Sequence, residues 1–144
     1  MKYFRKLTLL AAFLSLFAAV SCAGGKNMQE SDLLHRTFVL ETVDGQPFAA
    51  SLAKPEIAFG ENFRVYGQVC NRYTGQGTLT GNVLTVSQMA STKMLCADDA
   101  LNKLEYEFSQ LLMDGMAVEL SGDTLSLEGG GRTLTFKASG SAQQ

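Results

Sequence analysis

The sequence predicts an α+β fold: a strongly curved antiparallel β-sheet of about eight short strands, forming a partly open barrel, packed with one α-helix. Three observations carry this. Short runs rich in β-branched and aromatic residues recur along the chain and are separated by glycine-containing turns. Only one stretch, beginning near Asp98, repeats its apolar residues with a helical period. A single amphipathic helix must bury its stripe, and the concave face of the sheet is the surface available to cover it.

The first segment stands apart from that domain. Lys2, Arg5 and Lys6 precede an apolar run from Leu7 to Val20, interrupted by Thr8 and Ser15. The run is shorter than the roughly 20 residues a spanning helix needs. A basic start, a short apolar core and small residues after it make an export signal over residues 1–21. Ala19-Val20-Ser21-Cys22 resembles the bacterial lipoprotein box, in which the cysteine is acylated and becomes the new N-terminus. The alternative is an ordinary secretory signal followed by a chance cysteine. Two or three acyl chains, at about 0.8 kcal/mol per buried methylene, hold a protein on a membrane stably. Ala23 stands where bacterial lipoproteins retained in the inner membrane generally carry aspartate, so the resemblance implies a periplasm-facing anchor in the outer membrane. Residues 22–32 are mostly small or polar and read as a flexible lipidated tether. The domain is expected over 33–137, followed by an unanchored tail at 138–144.

Loss of residues 1–21 removes three of the 12 basic residues and none of the 14 acidic ones, leaving a net charge of about −5. That excludes nucleic acid as the main partner, because such binding rests on basic patches. The membrane is expected to be contacted through the N-terminal lipid, with the domain itself a monomer. Cys70 and Cys96 remain as an even pair in an exported chain, where oxidation is permitted. They form either a disulfide or two buried free thiols. A bridge closes a loop of about 27 residues, worth about 3.5 kcal/mol on the chain-entropy model.

In chain order, Thr37 to Val43 reads as a strand ended by Asp44-Gly45, a hairpin signal, with Gln46-Pro47-Phe48 as the return. Pro55 to Phe59 is a short strand. Phe63, Val65, Gly67 and Val69 share one face of the next, with Arg64, Tyr66 and Gln68 on the other. Cys70 to Gly75 reads as a loop in which Gly75 reverses the chain. Gln76–Thr80 and Val83–Val86 flank the turn Gly81-Asn82. Ser87 to Leu95 shows no period. Asp98 and Asp99 suit a helix start, Leu101, Leu104, Phe108, Leu111 and Leu112 form its apolar face, and Gly115 stops it. Ala117–Leu120, Thr124–Leu127 and Thr133–Phe136 are the remaining strands.

Three blocks together carry a family resemblance. They are Gly67-Gln68-Val69-Cys70-Asn71-Arg72-Tyr73-Thr74-Gly75, then Met89 to Cys96, then the helix with Glu105. From about Leu34 to Lys137 the chain resembles the META domain family. The resemblance implies a small antiparallel β structure with a helix, an association with heat shock, and resistance to drugs such as novobiocin. It implies no enzymatic activity and no cofactor. Family members often carry tryptophan on the first strand; this chain has none, and Phe38 stands in that place.

Catalytic signatures are absent from the sequence. The sole histidine, His35, reads as a solvated surface residue, and no serine sits in a G-x-S-x-G elbow. Cys70 and Cys96 are too far apart for a C-x-x-C motif, and no second pair completes a zinc tetrad. Gly75-Gln76-Gly77 lacks phosphate-loop spacing. Asn71 and Arg72 form a binding or structural loop. Arg72 either takes an anion on its guanidinium fork or hydrogen-bonds carbonyls of a neighbouring loop, while Asn71 shapes the turn. Two functions follow. One is a stress-related envelope module that binds a protein, or a lipid held between sheet and helix. The other is a hydrolase of a small envelope substrate, built on Arg72, Asp98 and Glu105.

Overall fold

A computed structural model describes residues 27–49 and 54–141. The export signal, Cys22 and residues 142–144 lie outside them. Eight strands close into an antiparallel barrel. In sequence these are β1 (Arg36–Val43), β3 (Glu56–Phe59), β4 (Arg64–Gln68), β5 (Arg72–Thr80), β6 (Val83–Ser91), β7 (Met116–Ser121), β8 (Thr124–Gly129) and β9 (Arg132–Ser141). The two-residue β2 (Gln46–Pro47) folds back on the end of β1 across the Asp44-Gly45 turn, in which both residues have positive φ. The ring is shut by β1 against β9, from Arg36↔Ser141 to Val43↔Leu134, with the Thr42 and Thr135 hydroxyls hydrogen-bonded across the seam. The partly open barrel predicted from sequence is thus a closed one. It is thinnest between β6 and β7, which pair only at Val83↔Ala117 and Leu84↔Met116.

The helix α2 (Asp99–Asp114) is the connection across that thin place. Asp98 caps it, Oδ1 accepting from the N–H of Ala100 at 2.9 Å and of Leu101 at 3.3 Å. Gly115, at φ +102, ends it, its N–H donating to the Leu111 carbonyl. Leu101, Leu104, Phe108 and Leu112 are buried on the inner stripe. Phe108 meets Tyr73 edge-on and Phe136 at a tilt, each with ring centroids 6.0 Å apart. One continuous core results, with Phe38, Phe59, Phe63, Leu84, Met116, Leu125 and Phe136 fully enclosed. The space between sheet and helix is filled by these side chains.

The alternation expected from Phe63 to Val69 holds, with Phe63, Val65 and Val69 buried. The structure differs from the sequence reading at four places. β5 begins at Arg72, so the chain reverses over Val69–Asn71 and not at Gly75. Gly75 sits inside β5, where β6 passes so close that a Cβ there would lie 2.5 Å from Val86 Cγ1 and 2.9 Å from the Ser87 carbonyl oxygen. β6 continues to Ser91 through a bulge: Gln88 and Met89 stand opposite Gly75 alone, and Gln88 takes φ +51. At the ends, a single helical turn α1 (Glu30–Leu33) starts within the stretch expected as tether and buries Leu33, and β9 runs past Lys137 to Ser141. The Met28 N–H donates to Asn82 Oδ1 at 2.6 Å, which fastens the N-terminal approach to the β5–β6 turn.

Candidate functional site

The corner where β4 turns into β5 meets the N-terminal half of α2, and one side chain organises the junction. Asn71 is buried although polar, and every hydrogen-bonding position of its amide is used. Nδ2 donates to Glu105 Oε2 and to the Met94 carbonyl, both at 2.9 Å. Oδ1 accepts from Thr92 Oγ1 at 2.9 Å and from the Met94 N–H at 2.8 Å. The Asn71 backbone N–H donates to Glu105 Oε1 at 2.8 Å, so the carboxylate grips the residue at two points. Cys70 is bridged to Cys96, with Cα atoms 6.0 Å apart. Asn102 completes the frame: Oδ1 accepts from the Cys96 N–H at 3.1 Å and Nδ2 donates to the Cys96 carbonyl at 2.7 Å.

The Glu105 bonds tie the corner to α2, and the others fasten one segment, the loop from Thr92 to Cys96. That loop carries Met94 and Leu95, whose side chains are 74% and 91% exposed. A loop held by five side-chain bonds from Asn71 and Asn102 and by a disulfide would normally be expected to tuck its apolar residues inward. Here they face solvent. Opposite them on α2 stand Tyr106, 70% exposed, and Met113, 42% exposed. Between the two sides runs a groove of about 490 Å³, floored by Met89 and edged by Lys93. A larger hollow of about 570 Å³ lies at the other end of the barrel, around Met28, Asp32, Asn82 and Glu119. It is more polar, and the chain's own N-terminal approach borders it. The methionine-lined groove is the better candidate, because exposed large apolar side chains gathered in one place mark contact sites.

The residues singled out in the sequence are distributed as follows. Asn71 shapes the corner. Arg72 does not brace it: its guanidinium is exposed and takes no hydrogen bond or ion pair among the described residues, while its backbone carbonyl accepts from the Thr92 N–H. It points from the outer face of β5, beside a shallow depression bordered by Thr74, Ala90 and Thr92. Asp98 caps α2 and Glu105 holds Asn71, so the three side chains of the hydrolase reading are not gathered into one cleft. His35 is exposed. Sequence reasoning missed Thr92, Asn102 and the display of Met94 and Leu95. The available signal was two large apolar residues in a stretch with no period.

A model of the META domain matches residues 31–141. The chain belongs to the META domain family. It is 39% identical over 131 residues to the heat shock protein HslJ of Escherichia coli K12, covering 89% of this chain and 94% of that protein. Among solved structures, an NMR structure at 39% identity superposes with a TM-score of 0.70, covering 76% of this chain and 94% of the other. A second NMR structure, of a protein from Burkholderia xenovorans, is 23% identical with a TM-score of 0.63, over 76% and 86% of the two chains, and shares the fold. Cys70, Asn71 and Cys96, which stand in the blocks that carry the sequence resemblance, pin the Thr92–Cys96 loop in this chain.

Proposed function

We propose that this protein is an HslJ-type stress protein of the envelope, tethered to the outer membrane by a lipid on Cys22, that binds apolar segments of partner proteins and performs no chemistry of its own. The observation that carries this is the rigid presentation of Met94, Leu95, Tyr106 and Met113 around one groove. Methionine-rich surfaces suit varied apolar partners, because the unbranched thioether adapts its shape at little cost. The name of the HslJ relative supports a role in heat shock. Resistance to novobiocin, implied by the family resemblance, fits the same reading as a consequence of envelope upkeep.

The packed interior favours a surface contact over a lipid held between sheet and helix. Geometry favours a protein partner over the anchoring membrane. Met28 is fastened at Asn82, at one end of β6, while Lys93 to Leu95 follow the other end. A nine-residue strand spans about 30 Å, so the tether leaves one end of the barrel while Met94 and Leu95 stand at the other.

Photo-crosslinking side chains placed at Leu95, Tyr106 and, as a control, the exposed Glu128 on β8 test this in heat-stressed cells. Adducts with envelope proteins are expected from the first two positions, rising with temperature, and not from the third. No adduct at either groove position, or equal adducts at all three, would refute the reading. Leu95→Ser should leave stability within about 0.5 kcal/mol, since the side chain is almost wholly exposed.

A further inference from the structure

The groove has a backbone as well as side chains. β6 pairs with β5 from Thr80↔Val83 to Tyr73↔Ser91, but with β7 only at Val83 and Leu84. From Thr85 to Ser91 it has no strand on its α2 side, and no backbone hydrogen bond among the described residues reaches it from α2 or from the loop that follows. Ser87, Gln88, Ala90 and Ser91 are exposed. An unpaired edge presents N–H and C=O groups at the spacing of a sheet ladder and is a template for another strand. The last part of this edge, at Met89 and Ser91, lines the methionine-lined groove, so a strand added there would place alternate side chains against Met89, Tyr106 and Met113.

Two features select the occupant. The bulge at Gln88 interrupts the straight run, which limits pairing to a short segment and works against flat edge-to-edge pairing of two copies of this chain. Lys93 stands at the lip of the groove, beyond the last residue of β6, and has no ion pair among the described residues. It complements an acidic residue at the corresponding end of the incoming segment.

Resting on the binding reading above, we propose that the groove takes a short extended segment of a partner protein as an added strand on the β6 edge, with alternate apolar residues facing α2 and an acidic residue beside Lys93. Main-chain bonds then supply affinity with little regard to sequence, and the groove selects apolar character.

The test uses the full processed chain in zwitterionic nanodiscs, with empty discs as blank. The probe is a dye-labelled hexapeptide of alternating valine and threonine ending in aspartate, in three forms: unmodified, N-methylated on the amides of one edge, and N-methylated on the other. Fluorescence anisotropy should show one methylated form losing at least tenfold in affinity and the other staying within about threefold of the unmodified peptide. Amide shifts should concentrate between Ser87 and Lys93. Lys93→Gln should weaken the aspartate-ended peptide several-fold and leave a peptide ending in asparagine unchanged. Equal binding of both methylated forms would overturn strand addition while leaving an apolar groove that binds side chains. No binding of the unmodified peptide, tighter binding of a helical peptide of similar composition, or self-association of the chain through the same amides would also overturn it. The crosslinks at Leu95 and Tyr106 decide the broader reading separately.

Discussion

Replacing Asn71 with alanine removes the centre of the corner while keeping its backbone bond to Glu105. Four side-chain interactions are lost, namely those with Glu105 Oε2, the Met94 carbonyl, the Met94 N–H and Thr92 Oγ1. A neutral hydrogen bond contributes about 0.5–1.5 kcal/mol net, and one to a charged group about 1.5–3 kcal/mol. Simple addition gives roughly 5 kcal/mol, but Thr92 and Met94 are exposed, so water replaces part of what they lose. The expected cost is about 3 kcal/mol, or roughly 12 °C in melting temperature for a domain of this size. Urea denaturation of the oxidised protein measures it. Asn71→Asp sharpens the test by turning a donor to Glu105 into a second carboxylate. Mutual repulsion raises the folded-state pKa of that pair above its unfolded value. The native state then holds more protons than the unfolded one, so the variant's stability falls as pH rises and is regained as pH is lowered from 7 toward 5. A loss below 1 kcal/mol for Asn71→Ala, or an Asn71→Asp deficit indifferent to pH, would refute the account of this corner.

Other expectations follow from the same frame. Reducing the Cys70–Cys96 bridge should cost about 3.5 kcal/mol for its loop of about 27 residues, read as a lower melting temperature with reductant than without; coincident melts would show the bridge to be irrelevant. Gly75→Ala should cost about 2–3 kcal/mol through its clash with Val86 and the Ser87 carbonyl, and a variant as stable as the parent in urea would contradict the close approach of β5 and β6. Tyr73 is buried, and its hydroxyl donates to the Glu56 carbonyl at 2.9 Å. Burial first, and Glu56 second, push its pKa far above the usual phenol value, so the native state keeps a proton that the unfolded chain releases above about pH 10. Stability present below that pH should fall as pH rises beyond it, and Tyr73→Phe should show a shallower alkaline decline in urea titrations; identical slopes would count against it.

What the sequence disclosed was whatever depends on local period. Phe63, Val65 and Val69 announce a buried face by alternation, and Leu101, Leu104, Phe108 and Leu112 announce one by helical spacing. Asp98 and Gly115 mark the helix ends by chemistry that acts within a few residues. Where β5 and β6 run longest, the signal fails for physical reasons. Gly75 carries no side chain to show a period, and the bulge at Gln88 shifts the alternation of Met89 to Ser91. The site is harder still to read. Asn71 and Glu105 lie 34 positions apart, and only the fold brings an amide to a carboxylate. Met94 and Leu95 look like residues in search of a core, and nothing local says that the loop bearing them is pinned outward.

The barrel's seam has a consequence for how the chain comes into being. β1 finds one of its neighbours in β9, so Arg36 waits for Ser141 and Val43 for Leu134. A chain emerging from its N-terminus has Phe38 and Leu40 in hand from the start, yet cannot enclose them until almost the last residue has appeared. Pairings so distant in sequence form slowly, because a long loop must close before any contact compensates for the lost entropy. The first strand is therefore the longest-exposed apolar strand of the barrel as the molecule grows. A protein proposed to receive apolar strands begins its life with one that needs sheltering.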